Sequence, residues 1–290
     1  MSDKLFRFGA NLSVTASHAE LLDEARAAED LGYDVILVPD HIGMPAPFPL
    51  LTALAAVTTR PRLGTFVLNT AFYNPALLAR DAATTDLACG GRLELGLGAG
   101  WAQTEFAAAG LPFPSAGKRI EHLEHTITEL RRMFAAGEPS VSQHPAPPIV
   151  VAGRGDRLLR TVAPHADVIS LANIPVTERP FTPEAAERSL AERVEFLRTA
   201  AGARFDHLEL GLTVAAVHLA DQGEPDLSLP RMFAPDLSEE ELLALPGVLH
   251  GSPDQIAETL YRYRERYRLT HFAIPATSIT DFAKVISRIS

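Results

Sequence analysis

The chain has 290 residues, 47% of them hydrophobic and 21% charged, the balance of a globular protein able to bury a large core rather than of a disordered chain. Its formal net charge of −10 is spread along the sequence, and the one basic run, Arg262 to Arg268, alternates with Tyr and Glu, so nucleic acid is not an expected partner. No apolar run approaches the roughly 18 residues needed to cross a bilayer, the opening MSDKLFRFG lacks a secretory apolar core, and a lone Cys89 excludes an intrachain disulfide or a multi-thiolate metal site; a cytoplasmic, metal-free protein is expected.

In chain order, short β-rich runs alternate with helical patterns, the sign of βα units around a parallel sheet. A first strand is expected at 6–12, followed by a helix that Ser17 and Glu20 open as a capping box and that carries Leu21, Leu22, Ala25, Ala28 and Leu31 on one face. Strands two and three are expected at 34–39 and 63–69, and Asn74-Pro75 then sets a side-chain cap before a proline at the first helical position. Strand four, 92–98, precedes a helix striped by Ile120, Leu123, Ile127, Leu130 and Phe134 and ended by Gly137; His122 and His125 on that helix are expected to face water. A proline-rich connection, 138–147, leads to strand five at 148–152 and strand six at 166–171, and Thr182-Pro183 opens the helix before strand seven at 208–215. Residues 219–250 are a long excursion expected to act as a lid, after which Ser252-Pro253 with Gln255 start a helix leading to strand eight at 271–275. Without a linker or a further repeat, the pattern predicts one domain, 1–290, folded as a (β/α)8 TIM barrel with its insertion after strand seven.

Three places carry residue types suited to chemistry. The run from Gly90 to Trp101 ends its strand in glycines at 96, 98 and 100, a spacing that admits a planar or phosphorylated group against the backbone or, equally, serves a tight turn. A dinucleotide fingerprint would require GxGxxG between strand and helix, which is not the spacing here. His41, in Pro-Asp-His after strand two, is placed to move a proton near neutral pH or only to bond backbone or Asp40. The segment Gly153-Arg154-Gly155-Asp156-Arg157 sets free N–H groups and guanidiniums at a helix start, an anion site unless Asp156 caps that helix. Cys89 reads as a buried structural thiol.

GGRLELGLGAGW at 90–101, with ARAAEDLGYDVILVPDH at 25–41, residues 62–92 and IVVAGRG at 149–155, resembles the luciferase-like monooxygenase superfamily, especially its coenzyme F420-dependent branch. The resemblance covers 6–175 and continues more weakly through 252–260. It implies a flavin or deazaflavin ring over the C-terminal ends of strands one to four, among Ala10, Asn11, His41, Val67, Gly98, Gly100 and Trp101, with a cis peptide at Phe66-Val67 and the cofactor phosphate at Gly153, Arg154, Gly155 and Arg157. It also implies His41 as a proton carrier. Two positions depart from the branch's sugar-phosphate and alcohol dehydrogenases, for Pro45 stands where they have tryptophan and Trp101 where they have an acid. Glu105, one turn on, is the candidate substitute acid or else a helix cap. The expectation is an F420-dependent oxidoreductase, a homodimer, reducing an unsaturated C=C, C=N or C=O bond of a small molecule. The alternatives are an FMNH2-dependent monooxygenase served by a partner reductase, and a barrel that binds flavin without turnover.

Overall fold

The structure, a computed structural model, describes residues 5–12, 17–179 and 181–289; the first four residues of the opening segment lie outside it. The strands are β1 (Arg7–Asn11), β2 (Val35–Val38), β3 (Arg62–Thr65) and its short continuation β4 (Leu68–Asn69), β5 (Leu93–Gly98), β6 (Ile149–Gly153), β7 (Val168–Leu171), β8 (Glu209–Thr213), β9 (Ala216–Leu219), β10 (Val248–Gly251) and β11 (Leu269–Ile274). They pair in parallel in the order β3-β2-β1-β11-β8-β7-β6-β5-β4, and β3 also pairs with β5, which closes the sheet into a barrel. Counting β3 and β4 as one interrupted strand, these are the eight barrel strands expected.

The helices are α1 (His18–Asp30), α2 (Pro47–Ala55), α3 (Pro75–Ala88), α4 (Gln103–Ala108), α5 (Ala116–Ala136), α6 (Asp156–Val162), α7 (Pro183–Ala201), α8 (Ser228–Phe233), α9 (Glu239–Leu243), α10 (Pro253–Tyr267) and α11 (Ile279–Ile289). Their starts follow from local chemistry. Ser17 with Glu20 and Ser252 with Gln255 form both halves of a capping box, and Asn74 and Thr182 cap helices whose next residue is proline. Gly137 ends α5 in the left-handed conformation.

Alternation decides what each strand residue touches. Phe8, Ala10, Ile36, Val38, Leu93, Leu95, Leu97, Phe272 and Ile274 point outward and are buried against the helices in the main core. The other set fills the barrel. Arg7, Arg62, Glu94 and Glu209 make a charged layer at the N-terminal end, with Arg7 bonding both glutamates and Arg62 bonding Glu94. His271 lies above them, and Val35, Leu37 and Ala273 with Phe66 make an apolar layer.

The 219–250 excursion is not structureless. Its ends form a two-stranded parallel sheet, β9 with β10, and its helices α8 and α9 build a small core of Ala216, Leu227, Leu242 and Val248. Phe233 at the end of α8 reaches Trp101, the residue beyond the β5 mouth, with ring centroids 6.0 Å apart. The excursion thus lies over the C-terminal end of the barrel.

Candidate active site at the barrel mouth

His41 leaves the barrel after β2, and Glu105 sits in the first turn of α4 after β5. The fold brings these two sequence-distant residues together, His41 Nδ1 lying 2.7 Å from Glu105 Oε1, with side chains 37% and 19% exposed. Glu105 is not a helix cap; α4 begins at Gln103 after Ala102, with no side-chain cap. Nor does His41 bond its neighbour Asp40. That carboxylate accepts hydrogen bonds from the Asn69 backbone N–H at 3.0 Å and the Tyr73 hydroxyl at 3.1 Å. Burial pushes the Asp40 carboxyl above the usual aspartate range, outweighing those two bonds, which pull it down.

The peptide Phe66-Val67 is cis, at the expected position between β3 and β4. The glycines of β5 pack closely against this neighbouring strand. A Cβ at Gly96 would lie 1.8 Å from the Thr65 carbonyl oxygen, one at Gly98 would lie 2.6 Å from Val67 Cγ2, and one at Gly100 would lie 2.3 Å from Asn69 Oδ1. The side on which each missing Cβ would stand is therefore filled by the neighbouring strand. Ala10 is fully buried against the helices, whereas the next residue, Asn11, is half-buried at the mouth and donates to the Ile274 carbonyl at 3.3 Å.

Phe66 and Val67 are half-buried at the mouth and Trp101 is 63% exposed there. The loop carrying Trp101 is fastened by Arg119, which donates to the Gly100 carbonyl at 3.0 Å and lies 4.1 Å over the Phe113 ring. Neither Arg119 nor Asp40 was singled out from sequence, because each acts through a partner distant along the chain. Asn69 adds a buried amide nitrogen with no hydrogen-bond partner.

At the β6 mouth, α6 begins after Gly155 with no side-chain cap. Asp156 does not bond the N–H groups of that turn, its carboxylate pairing instead with Arg193. Arg157 pairs with Glu121 at 2.6 Å, both exposed, and Arg154 turns away to donate to the Asn173 carbonyl. His122 does not face water as expected. It is half-buried, its Nε2 lying 3.0 Å from the Thr70 carbonyl, while His125 is exposed. Cys89 is buried as expected, and desolvation pushes its thiol up to about 11.

The sequence profile of the luciferase-like monooxygenase family matches residues 4–179. A coenzyme F420-dependent glucose-6-phosphate dehydrogenase from Kribbella flavida is 36% identical over 147 residues, covering 48% of this chain and 44% of the relative. The chain thus matches less than half the length of that relative. Among solved structures, the F420-dependent tetrahydromethanopterin reductase of Methanopyrus kandleri superposes with a TM-score of 0.73 at 17% identity, over 98% of this chain and 97% of the other. A monooxygenase from Streptomyces bottropensis superposes with a TM-score of 0.69 at 21% identity, over 97% and 96%. At such identities the likeness is one of fold.

Proposed function

The chain belongs to the luciferase-like monooxygenase family, and from that premise we propose that it is an F420-dependent oxidoreductase reducing an unsaturated bond of a small organic substrate. The observation that carries the reading is the pairing of His41 with Glu105 at the mouth. Curated relatives named for F420, 36% identical over 126 and 147 residues, support the choice of cofactor.

When bound, coenzyme F420 supplies a two-electron hydride donor or acceptor. The residues at the mouth fit a flat, partly polar ring: Phe66 and Val67 give half-buried apolar surface, while the half-buried Asn11 amide gives a donor at its edge. The uncapped turn after Gly153 and Gly155 leaves backbone N–H groups for a phosphate. Arg157 would join them only by giving up Glu121, and an exposed ion pair of that kind contributes about 0–1 kcal/mol.

Proton handling falls to His41. With Nδ1 committed to the Glu105 carboxylate, the ring is fixed in orientation and Nε2 is the nitrogen left to hold or release a proton to substrate. Glu105 acts as the orienting and charge-stabilising partner of the imidazolium. The acid that the dehydrogenases carry at the Trp101 position is thereby supplied from one helical turn further on.

Titration with coenzyme F420 and with FMN, read by fluorescence, tests the cofactor. Saturation by F420 at lower concentration is expected; saturation by FMN alone would give the chain to the FMNH2-dependent monooxygenase reading. His41→Ala should then lower single-turnover rates about 10²–10⁴-fold with little change in cofactor affinity.

A further inference from the structure

A cavity of about 260 Å³ opens between the C-terminal ends of β7 and β8 and the excursion. Its wall includes Arg154, Asn173, Arg179 and Thr213 from the barrel side, and Phe233, Asp236 and Val248 from the excursion. The two guanidiniums are tied only to backbone. Arg154 donates to the Asn173 carbonyl, whose residue holds a left-handed φ of 48°, and Arg179 donates to the Val176 and Glu178 carbonyls at 2.9 Å each. Neither has a carboxylate partner among the described residues, and of each fork's five N–H donors most stay open. With Asp236 the one acid in the wall, the cavity carries a net positive charge on an otherwise largely apolar lining.

Place in the barrel gives this charge a direction. Around the closed sheet β7 stands four strands from β2, so the cavity lies across the mouth from His41. Between them Phe233 packs edge-on against Trp101, an apolar bridge from one side to the other. The cavity is slightly smaller than the roughly 300–1,000 Å³ of pockets that enclose a whole small ligand, so it suits one end of a molecule.

We infer that this cavity seats the anionic end, a carboxylate or sulfonate, of an otherwise apolar substrate, with Arg154 and Arg179 pairing the anion and the apolar body lying along Phe233 and Trp101 toward His41. That the ligand is a substrate rests on the oxidoreductase reading; that the cavity takes an anion on an apolar body does not. The same chemistry could come from an anionic tail of the cofactor, and the experiment separates the two.

The probe is anilinonaphthalene sulfonate, an apolar body with one anionic group, titrated by fluorescence into wild type, Arg179→Gln and Arg154→Gln/Arg179→Gln, with circular dichroism to establish that each is folded. Loss of charge-assisted bonds from exposed guanidiniums should raise the probe's dissociation constant about fivefold in the single variant and about tenfold or more in the double. Decanoate should displace the probe and decanol should not. Equal constants in all three proteins, or equal displacement by the alcohol, would overturn the inference. Coenzyme F420 is titrated into the same proteins: affinity unchanged in Arg179→Gln supports a substrate anion, and parallel weakening assigns the cavity to the cofactor and overturns the substrate claim. If wild type binds neither F420 nor FMN, the functional reading fails while the probe and decanoate arms still decide what the cavity binds.

Discussion

His41 and Arg157 each sit in a pair with a carboxylate whose worth can be measured by changing one partner. Glu105→Gln keeps an oxygen able to accept from His41 Nδ1 but removes the charge opposite the imidazolium. If Glu105 only orients the ring, turnover should stay near normal; if it stabilises the charged ring, turnover should fall by about 10²-fold or more while substrate KM changes little. The second outcome is expected, because the 2.7 Å contact is made in a half-buried place where water screens it less than at the surface. For Arg157, Glu121 competes with any phosphate for one guanidinium. Glu121→Ala should therefore tighten cofactor binding, and Arg157→Ala should weaken it by about tenfold. Titration of both variants checks this, and the same constant in both would remove Arg157 from the site and leave the phosphate to the backbone of Gly153 to Gly155.

The β3–β4 and β5 elements show a sequence pattern whose packing partner lies on another strand. Glycines at 96, 98 and 100 mark the functional end of β5, yet the atoms they admit belong to Thr65, Val67 and Asn69 of the adjoining strand. Gly96→Ala would drive a methyl group into a backbone oxygen that no side-chain rotation can relieve, so a loss of about 1–3 kcal/mol or more in stability is expected, seen as a fall in Tm. Gly155→Ala is the contrast. That residue has φ of −72° and nothing within 4 Å of an added Cβ, so Tm should hold, and any loss of cofactor affinity would report ligand against the backbone there. Helix caps and the eight strand runs were legible because each is written in residues near one another or in a period of two, whereas the cis position came only through the family resemblance. Ala10 and Asn11, named together from sequence, fall on opposite faces of β1, Ala10 toward the helices and Asn11 toward the mouth. The His41–Glu105 contact was legible only as two separate candidates. The role of Arg154 and Arg179 in the cavity wall was not, since nothing local tells a guanidinium bound to backbone from one paired with an acid.

At the scale of the whole barrel, the end opposite the mouth holds a buried polar layer that stabilises the fold only in one state of protonation. His271, 1% exposed, has no hydrogen-bond partner on either ring nitrogen. Burial pushes its imidazole below the ordinary histidine value; nearby Arg7 pushes the same way, and the Glu209, Glu94 and Asp34 carboxylates only partly oppose them. The folded chain therefore keeps His271 neutral at a pH where the unfolded chain protonates it. Since the unfolded state binds the extra proton, stability is full above the unfolded histidine value, about 6.5, and is lost as pH falls below it, by up to about 1.4 kcal/mol per pH unit from this one group. His271→Gln keeps polar atoms in the layer but cannot take up the proton. Denaturant unfolding of wild type and variant between pH 7.5 and 5 measures the difference. Wild type should lose stability faster than His271→Gln across that interval, whatever the variant's level at pH 7.5, and two curves falling in parallel would place the acid sensitivity of the barrel elsewhere.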